Sequence, residues 1–161
     1  DYFRTADPGR EAQKESFRAH IEMAARHDLP LQIHDREAHE DSIELLRECA
    51  NSDQRIVFHC FSGDAAMASV LAEHGWYASF AGPISYPANE DLRQAFAALP
   101  PELILVETDA PYLTPLPWRG CPNASYVMAH TVRFIADLWA VSEQLACQRL
   151  TGNTERVYGT W

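Results

Sequence analysis

The chain has 161 residues and is 47% hydrophobic, which is enough for one globular domain with a substantial core and excludes a disordered chain. Its 23 acidic residues outnumber its 13 Lys and Arg, which argues against a broad basic surface for nucleic acid. No apolar run approaches the roughly 18 residues of a membrane span, no export leader is visible, and the four cysteines form no CxxC pair. The composition therefore predicts a soluble cytoplasmic protein with reduced thiols and no membrane association.

In chain order, helix patterns alternate with short apolar strands. The first helix, residues 10–27, places Phe17, Ile21 and Ala24 on one face, and the first strand follows at 30–34. The alternation continues with a helix at 37–50, a strand at 55–59, a helix between Asp64 and Gly75, a strand at 76–81, a helix from Asn89 to residue 99, and a strand at 103–106.

Several details of these helices are also predicted. Asp64, Asn89 and Ser142 are expected to cap helices, and the second helix is expected to turn Ile43, Leu46 and Ala50 inward. The last third is predicted to be helical over 125–139 and again after Ser142, with a break at Gly152 and a final turn from Asn153.

Four strands that alternate with helices predict an α/β domain, residues 1–161, with a parallel sheet and helices outside it. The pattern alone does not separate a barrel from an open doubly wound sheet. No strand leads into GxGxxG or GxxxxGK[ST], so the usual nucleotide-binding folds lose their support.

Chemistry-bearing residues follow three of these strands. His34 and His59 each close an apolar run, and Glu107 and Asp109 follow a third. If that strand stays extended, the two acids share a face about 7 Å apart. Alone, such acids are more often exposed and paired with an arginine, and a single histidine is more often structural. Because the carboxyl ends of parallel strands meet at one rim, the three together predict a metal or acid–base cluster.

A colinear set of motifs carries a resemblance. The set comprises residues 1–4 (DYFR), 33–36 (IHDR), 58–63 (FHCFSG), 81–83 (AGP), 107–115 (ETDAPYLTP), Arg119-Gly120 with Asn123, and Asn153. Over the whole chain it resembles the TatD family of metal-dependent deoxyribonucleases. The resemblance implies a (β/α)8 TIM barrel of the amidohydrolase type and two divalent metal ions, Mg, Mn or Zn. It implies His34 and His59 as ligands of one ion and Asp109 as a ligand of the other, with Glu107 beside them.

Two departures from the family pattern set a further expectation. The family's His-x-His pair and the glutamate that bridges both metals are not in this chain. A full barrel has about 250 residues, so roughly 90 are expected on the N-terminal side. The chain is therefore expected to be the C-terminal part of the parent enzyme, an incomplete barrel that lacks its first strands and is inactive alone. The segment 120–126 is one residue shorter than usual, which leaves the role of Asn123 open.

The reaction implied for the parent is phosphodiester hydrolysis of DNA, single-stranded or at ends, by a metal-activated water. An excess of acidic residues does not exclude a nuclease whose metal ions and a few arginines hold the phosphates. Asp109 is expected to hold and deprotonate the attacking water, and Glu107 to act from the substrate side or behind a ligand. Arg36 and Arg119 are expected phosphate clamps, or else structural ion pairs. No obligate protein partner is expected.

Two alternatives stay open. One is a metal-dependent amidohydrolase that cleaves C–N or ester bonds on the same rim, and the other is a truncated remnant without activity. Cys60 has no base at a spacing typical of a catalytic triad and is expected to pack rather than react. The five histidines on helices are expected to have no metal role: His20, His27, His39, His74 and His130.

Overall fold

The computed structural model describes residues 1–3 and 5–160, so Arg4 of the first motif lies outside the described residues. The strands are β1 (Leu31–His34), β2 (Ile56–His59), β3 (Tyr77–Phe80) and β4 (Ile104–Val106). The helices are α1 (Asp7–Arg26), α2 (His39–Cys49), α3 (Ala65–His74), α4 (Glu90–Ala98), α5 (Met128–Leu138) and α6 (Glu143–Tyr158). Short 3-10 turns lie at Gly82–Ser85, Pro101–Leu103 and Ser125–Val127.

The four strands form one parallel sheet in the order β1-β2-β3-β4. In the register of β1 with β2, His34 is paired with His59. All four carboxyl ends therefore lie at the same edge, as the alternating pattern predicts. Within the described residues, β1 pairs with β2 alone, so its other edge is open.

The two faces of the sheet are covered unequally. Side chains that point outward, among them Ile33, Phe58 and Phe80, are buried under the helices in the main hydrophobic core. On the inner face, Val57 and Leu105 pack against Val157 of α6 in a separate small cluster. In β1 the inward side chains of Gln32 and His34 are exposed, and α6 reaches this strand through the Tyr158 hydroxyl, which donates to Oε1 of Gln32 at 2.9 Å. The rim of this half-covered inner face carries the predicted site.

The predicted break at Gly152 is wrong, because α6 is continuous from Glu143 to Tyr158. A glycine inside a helix costs about 1 kcal/mol relative to alanine, which packing can offset. Here Asn153 is buried and its Nδ2 donates to the carbonyl oxygens of Pro101 and Ile104, at 2.7 and 2.6 Å. These bonds tie the second half of α6 to the beginning of β4, so the helix continues past the glycine.

Predictions for the helix ends were partly right. The capping roles of Asp64 and Ser142 are confirmed, since their side chains accept from backbone N–H groups in the first turns of α3 and α6. Asn89 precedes α4 but does not cap it; its Nδ2 donates to the carbonyl of Pro83 instead. Residues 125–127 form a 3-10 turn before α5 rather than its first turn.

The three residues predicted to turn inward from the second helix all contact the core: Leu46 is fully buried, and Ile43 and Ala50 are partly buried against it. Ser42 and Leu45 of α2 are buried as well, which the prediction did not include. Across the described residues, none of the helices combines the length and apolarity that a membrane span requires.

Candidate metal centre

His59 lies at the centre of the site, at the carboxyl end of β2. Its Nδ1 is 2.8 Å from Oε1 of Glu107, and its Nε2 is 3.5 Å from Oδ1 of Asp109. One ring therefore contacts both predicted acids through its two nitrogens. The potential ligand atoms of these three residues all lie within 4.8 Å of one another.

Glu107 is held from the β2 side of the site. Its Oε2 accepts a hydrogen bond of 3.1 Å from the backbone N–H of Cys60, which follows His59 in a left-handed turn. Its Oε1 is buried and, among the described residues, has no well-aligned hydrogen-bond donor, although the His59 ring is 2.8 Å away. This N···O distance lies within the range of charge-assisted hydrogen bonds. A proton on Nδ1 would satisfy this oxygen and leave Nε2 free to bind a metal ion.

Asp109 reaches the site by a different path from the one predicted. The strand ends at Val106, and Asp109 has a positive φ of 55°, so Glu107 and Asp109 are not two steps of an extended strand. The condition for the expected 7 Å spacing, a strand that stays extended as far as Asp109, is therefore not met. The turn brings Asp109 toward the second ring nitrogen of His59, and both acids still converge on the same histidine.

His34 lies at the same rim but outside the three-residue cluster. Its ring is 6.1 Å from that of His59, centroid to centroid, and its Nε2 is 3.1 Å from Oδ2 of Asp1. The side chain of His34 is 59% exposed, so it is free of the packing that holds His59. The contact of Asp1 with His34 was not predicted from the sequence. The sequence feature that could have indicated it is the position of Asp1 at the beginning of the first motif.

The cluster fits a divalent metal ion. Imidazole nitrogen and carboxylate oxygen are donors that zinc, manganese and similar ions accept, and the short separations suit a shared or adjacent ion. A carboxylate behind a histidine is also the usual arrangement that fixes the tautomer of a metal-bound ring.

Cys60 sits next to this cluster but does not offer a thiolate. Burial first, and then the charges of Glu107 and Asp109, raise the pKa of Cys60 to about 12. A thiol with that pKa is protonated at neutral pH and is a poor nucleophile. This agrees with the expectation that Cys60 packs.

Two cavities adjoin the predicted ligands. One of about 250 Å³ lies on the inner face below the cluster and is lined by His59, Glu107 and Asp109 together with Tyr158 of α6. The larger, about 580 Å³, lies along β1 between α1 and α2, and of the predicted ligands it contacts His34 alone. The candidate metal centre therefore adjoins the smaller cavity, because both acids line it.

The two predicted phosphate clamps lie on aromatic rings. The Arg36 guanidinium carbon is 3.5 Å from the ring centroid of Phe3, and that of Arg119 is 4.3 Å from the ring centroid of Tyr86. Neither forms an ion pair with a carboxylate anywhere in residues 1–3 and 5–160. The structural ion pairs weighed as an alternative are thus not observed, and both guanidinium groups keep N–H donors for a ligand.

Residues 1–159 match the protein family described as "TatD related DNase". The chain belongs to this family. Its match extends from the first motif, through both histidine strands and the acidic strand, to the end of α6, and so confirms the resemblance of the motifs.

Curated relatives of the chain are named as metal-dependent hydrolases. An "Uncharacterized metal-dependent hydrolase TatD" of Mycobacterium tuberculosis is 42% identical over 147 residues, which are 91% of this chain and 55% of that protein. An "Uncharacterized metal-dependent hydrolase YcfH" of Escherichia coli K12 is 35% identical over 98% of this chain and 59% of its own length. The chain thus spans less than two thirds of the length of these relatives.

Solved structures agree on the fold. The TatD homolog YJJV of Escherichia coli k12 superposes with a TM-score of 0.89 at 27% identity, over 99% of this chain and 61% of that one. An uncharacterized amidohydrolase of Saccharomyces cerevisiae superposes at 0.75 with 15% identity, over 92% and 60%, which shows a shared fold alone. The chain therefore has the α/β architecture of this family, with its parallel sheet.

Proposed function

We propose that the chain supplies the carboxyl-terminal part of the active site of a metal-dependent hydrolase that cleaves phosphodiester bonds of DNA. The observation that carries the proposal is the convergence of Glu107 and Asp109 on the two nitrogens of His59. The names of the curated relatives support a metal-dependent hydrolase, and the family description supports DNA as the substrate.

Each residue of the cluster has its own task in this proposal. A divalent ion would supply Lewis acidity toward a phosphate oxygen and would lower the pKa of a nearby water. His59 would hold one such ion and Asp109 a second, and the Asp109 carboxylate would accept the proton of the attacking water. Glu107 would keep the proton of the His59 ring on Nδ1, so that the lone pair of Nε2 points into the site.

Two ions per full-length enzyme remain our proposal, with His34 and His59 on one ion and Asp109 on the other. The 6.1 Å between the two imidazole rings allows a common ion after a small side-chain rotation, because His34 is exposed. The donor set accepts Mg, Mn or Zn and does not choose among them.

Arg36 and Arg119 are proposed to bind phosphates of single-stranded DNA or DNA ends. Support comes from their exposed guanidinium groups, which are preorganised by aromatic rings instead of being neutralised by carboxylates. Stacking fixes the plane of the guanidinium and leaves its N–H edge for bidentate contact with a phosphate.

The cytoplasm remains the proposed cellular location of the protein.

The four strands are further proposed to be part of a (β/α)8 barrel whose first strands come from outside these 161 residues. The open edge of β1 and the exposed inward side chains of that strand support this arrangement. It implies that the chain alone is inactive. The test is to compare the chain alone with the chain fused to the part of the Mycobacterium relative that the match leaves out, and activity of the chain alone would contradict it.

The proposed reaction is tested on the fused, full-length form. We expect cleavage of a single-stranded DNA oligomer, complete loss after exhaustive chelation with EDTA, and recovery with Mg²⁺, Mn²⁺ or Zn²⁺. A panel of amides and lactones assayed in parallel tests the amidohydrolase alternative. Undiminished DNA cleavage without metal would refute the metal mechanism, and turnover of the panel without DNA cleavage would refute the substrate.

A further inference from the structure

A loop between β4 and α5 carries Asp109 and is closed at its base by one side chain. We name residues 107–123 the acid loop. Its last residue, Asn123, is only 6% exposed. Its Nδ2 donates to the carbonyl oxygens of Thr108 and Tyr112, both at 2.7 Å, and its backbone N–H donates to that of Pro111 at 3.0 Å. Its Oδ1 accepts from the N–H of Ala124 at 2.9 Å.

The carbonyls that Asn123 binds flank the turn at Asp109 on both sides. Asp109 has a left-handed backbone, with φ of 55°, which is unfavourable for any residue other than glycine and only mildly better for aspartate and asparagine. Such a turn persists where the surroundings hold it. Two bonds within the turn contribute to this hold, from the N–H of Ala110 to Oγ1 of Thr108 and from the N–H of Tyr112 to the carbonyl of Asp109. The Asn123 amide adds a bond across the turn, because one NH₂ group binds the carbonyls of both Thr108 and Tyr112.

The rest of the acid loop is anchored independently, against the turn Gly82–Ser85. A Cβ built on Gly82 would lie 2.0 Å from the carbonyl oxygen of Leu113, and the Ser85 hydroxyl accepts from the N–H of Leu116 at 3.0 Å. Thr114 donates to the carbonyl of Cys121 at 2.6 Å. Removing the Asn123 amide would therefore release the turn at its base while the loop stays attached elsewhere.

We propose that Asn123 is a positioning residue that sets the backbone of Asp109 and thereby the direction of its carboxylate toward Nε2 of His59. The inference rests on the proposed function, since it takes Asp109 as a metal ligand. It gives Asn123 a role in the geometry of the site and not in contact with substrate.

Asn153 is a matched control for this role. It is also buried, at 2% exposed, and its Nδ2 also donates to two carbonyl oxygens, those of Pro101 and Ile104. These two carbonyls are at the beginning of β4, at the opposite end of the strand from the acids. Loss of either amide removes two hydrogen bonds to backbone carbonyl oxygens, but only Asn123 adjoins the Asp109 turn.

The experiment measures Mn²⁺ affinity by titration calorimetry and melting temperature by circular dichroism in the full-length protein. Asn123→Ala is expected to weaken Mn²⁺ binding about 10-fold, as loss of a residue that orients a ligand typically does. Asn123→Ser, which keeps one donor, is expected to fall between Asn123→Ala and the parent. Asn153→Ala is expected to lower the melting temperature and leave Mn²⁺ affinity unchanged.

Asp109→Asn serves as the reference that separates the two hypotheses. If Asp109→Asn weakens Mn²⁺ binding but both Asn123 variants keep the parental affinity, the positioning role is wrong and the proposed metal centre stands. If Asp109→Asn leaves the affinity unchanged, the metal centre is wrong and the positioning role is refuted with it. If Asn123→Ala does not fold, Asn123→Ser decides the question, because parental affinity in that variant alone overturns the role.

Discussion

Replacement of Glu107 by glutamine isolates what the carboxylate does for His59. Glu107 accepts from Cys60 N–H with one oxygen and contacts Nδ1 of His59 with the other. Glutamine has a single oxygen, so only one of these contacts survives. If the oxygen faces Cys60, the new NH₂ group faces Nδ1, which must then become an acceptor and pass its proton to Nε2. Nε2 is the nitrogen that faces Asp109, and a protonated nitrogen does not bind metal.

The size of the effect follows from this tautomer change. If the amide turns the other way, the N–H of Cys60 loses its acceptor, at about 1–3 kcal/mol for a buried group, so neither orientation is neutral. Loss of a residue that orients a metal ligand costs about 10- to 100-fold in metal affinity, or about 1.4–2.7 kcal/mol. Asp109→Asn removes a ligand and a proton acceptor together, so we expect Glu107→Gln to be the milder variant.

The assay combines Mn²⁺ titration calorimetry with nitrogen NMR of the His59 ring in the metal-free protein. We expect the proton to sit on Nδ1 in the parent and to move to Nε2 in Glu107→Gln, with a parallel loss of affinity. Glu102→Gln, the same change of charge at an exposed acid before β4, is the matched control and should alter neither property. An unchanged tautomer together with parental affinity in Glu107→Gln would refute the orienting role.

Three other predictions use the same structure. Asp109→Asn is expected to keep the fold, because the amide is nearly isosteric, and to lower turnover at least ~100-fold at every metal concentration; full rescue by added metal would contradict its part in proton transfer. Burial and two carboxylates raise the pKa of Cys60 to about 12, so iodoacetamide at about pH 8 should label the exposed Cys121 and leave Cys60 unmodified. Peptide mass mapping that shows equal labelling of the two cysteines would contradict the raised pKa of Cys60. The pKa of Asp41 lies below its usual 3.8, chiefly because the Tyr2 hydroxyl donates a hydrogen bond to it and secondly because Lys14 does the same. Tyr2→Phe should therefore destabilise the protein above about pH 4, and this difference in stability should vanish as the pH falls through the folded-state pKa of Asp41. Urea unfolding that shows a pH-independent difference would exclude this linkage.

Much of the fold follows from local patterns in the sequence. Four apolar runs between amphipathic segments predicted four strands, and the histidines that end two of them were placed correctly at one rim. This works because parallel strands have all their carboxyl ends at the same edge, so position along the chain fixes position in space. Caps such as Asp64 and Ser142 were equally predictable, since they depend on residues three positions apart.

The sequence by itself determined which residues meet at the rim, but tertiary structure decided how they meet. The 3.5 Å approach of Asp109 to His59 depends on a left-handed turn that Asn123, 14 positions later, holds by its side chain, and no periodicity encodes that contact. Likewise α6 continues through Gly152 because Asn153 finds carbonyls about 50 residues away in the chain. Local propensity sets where elements begin and end, whereas long-range hydrogen bonds override it where a buried polar group must find its partner.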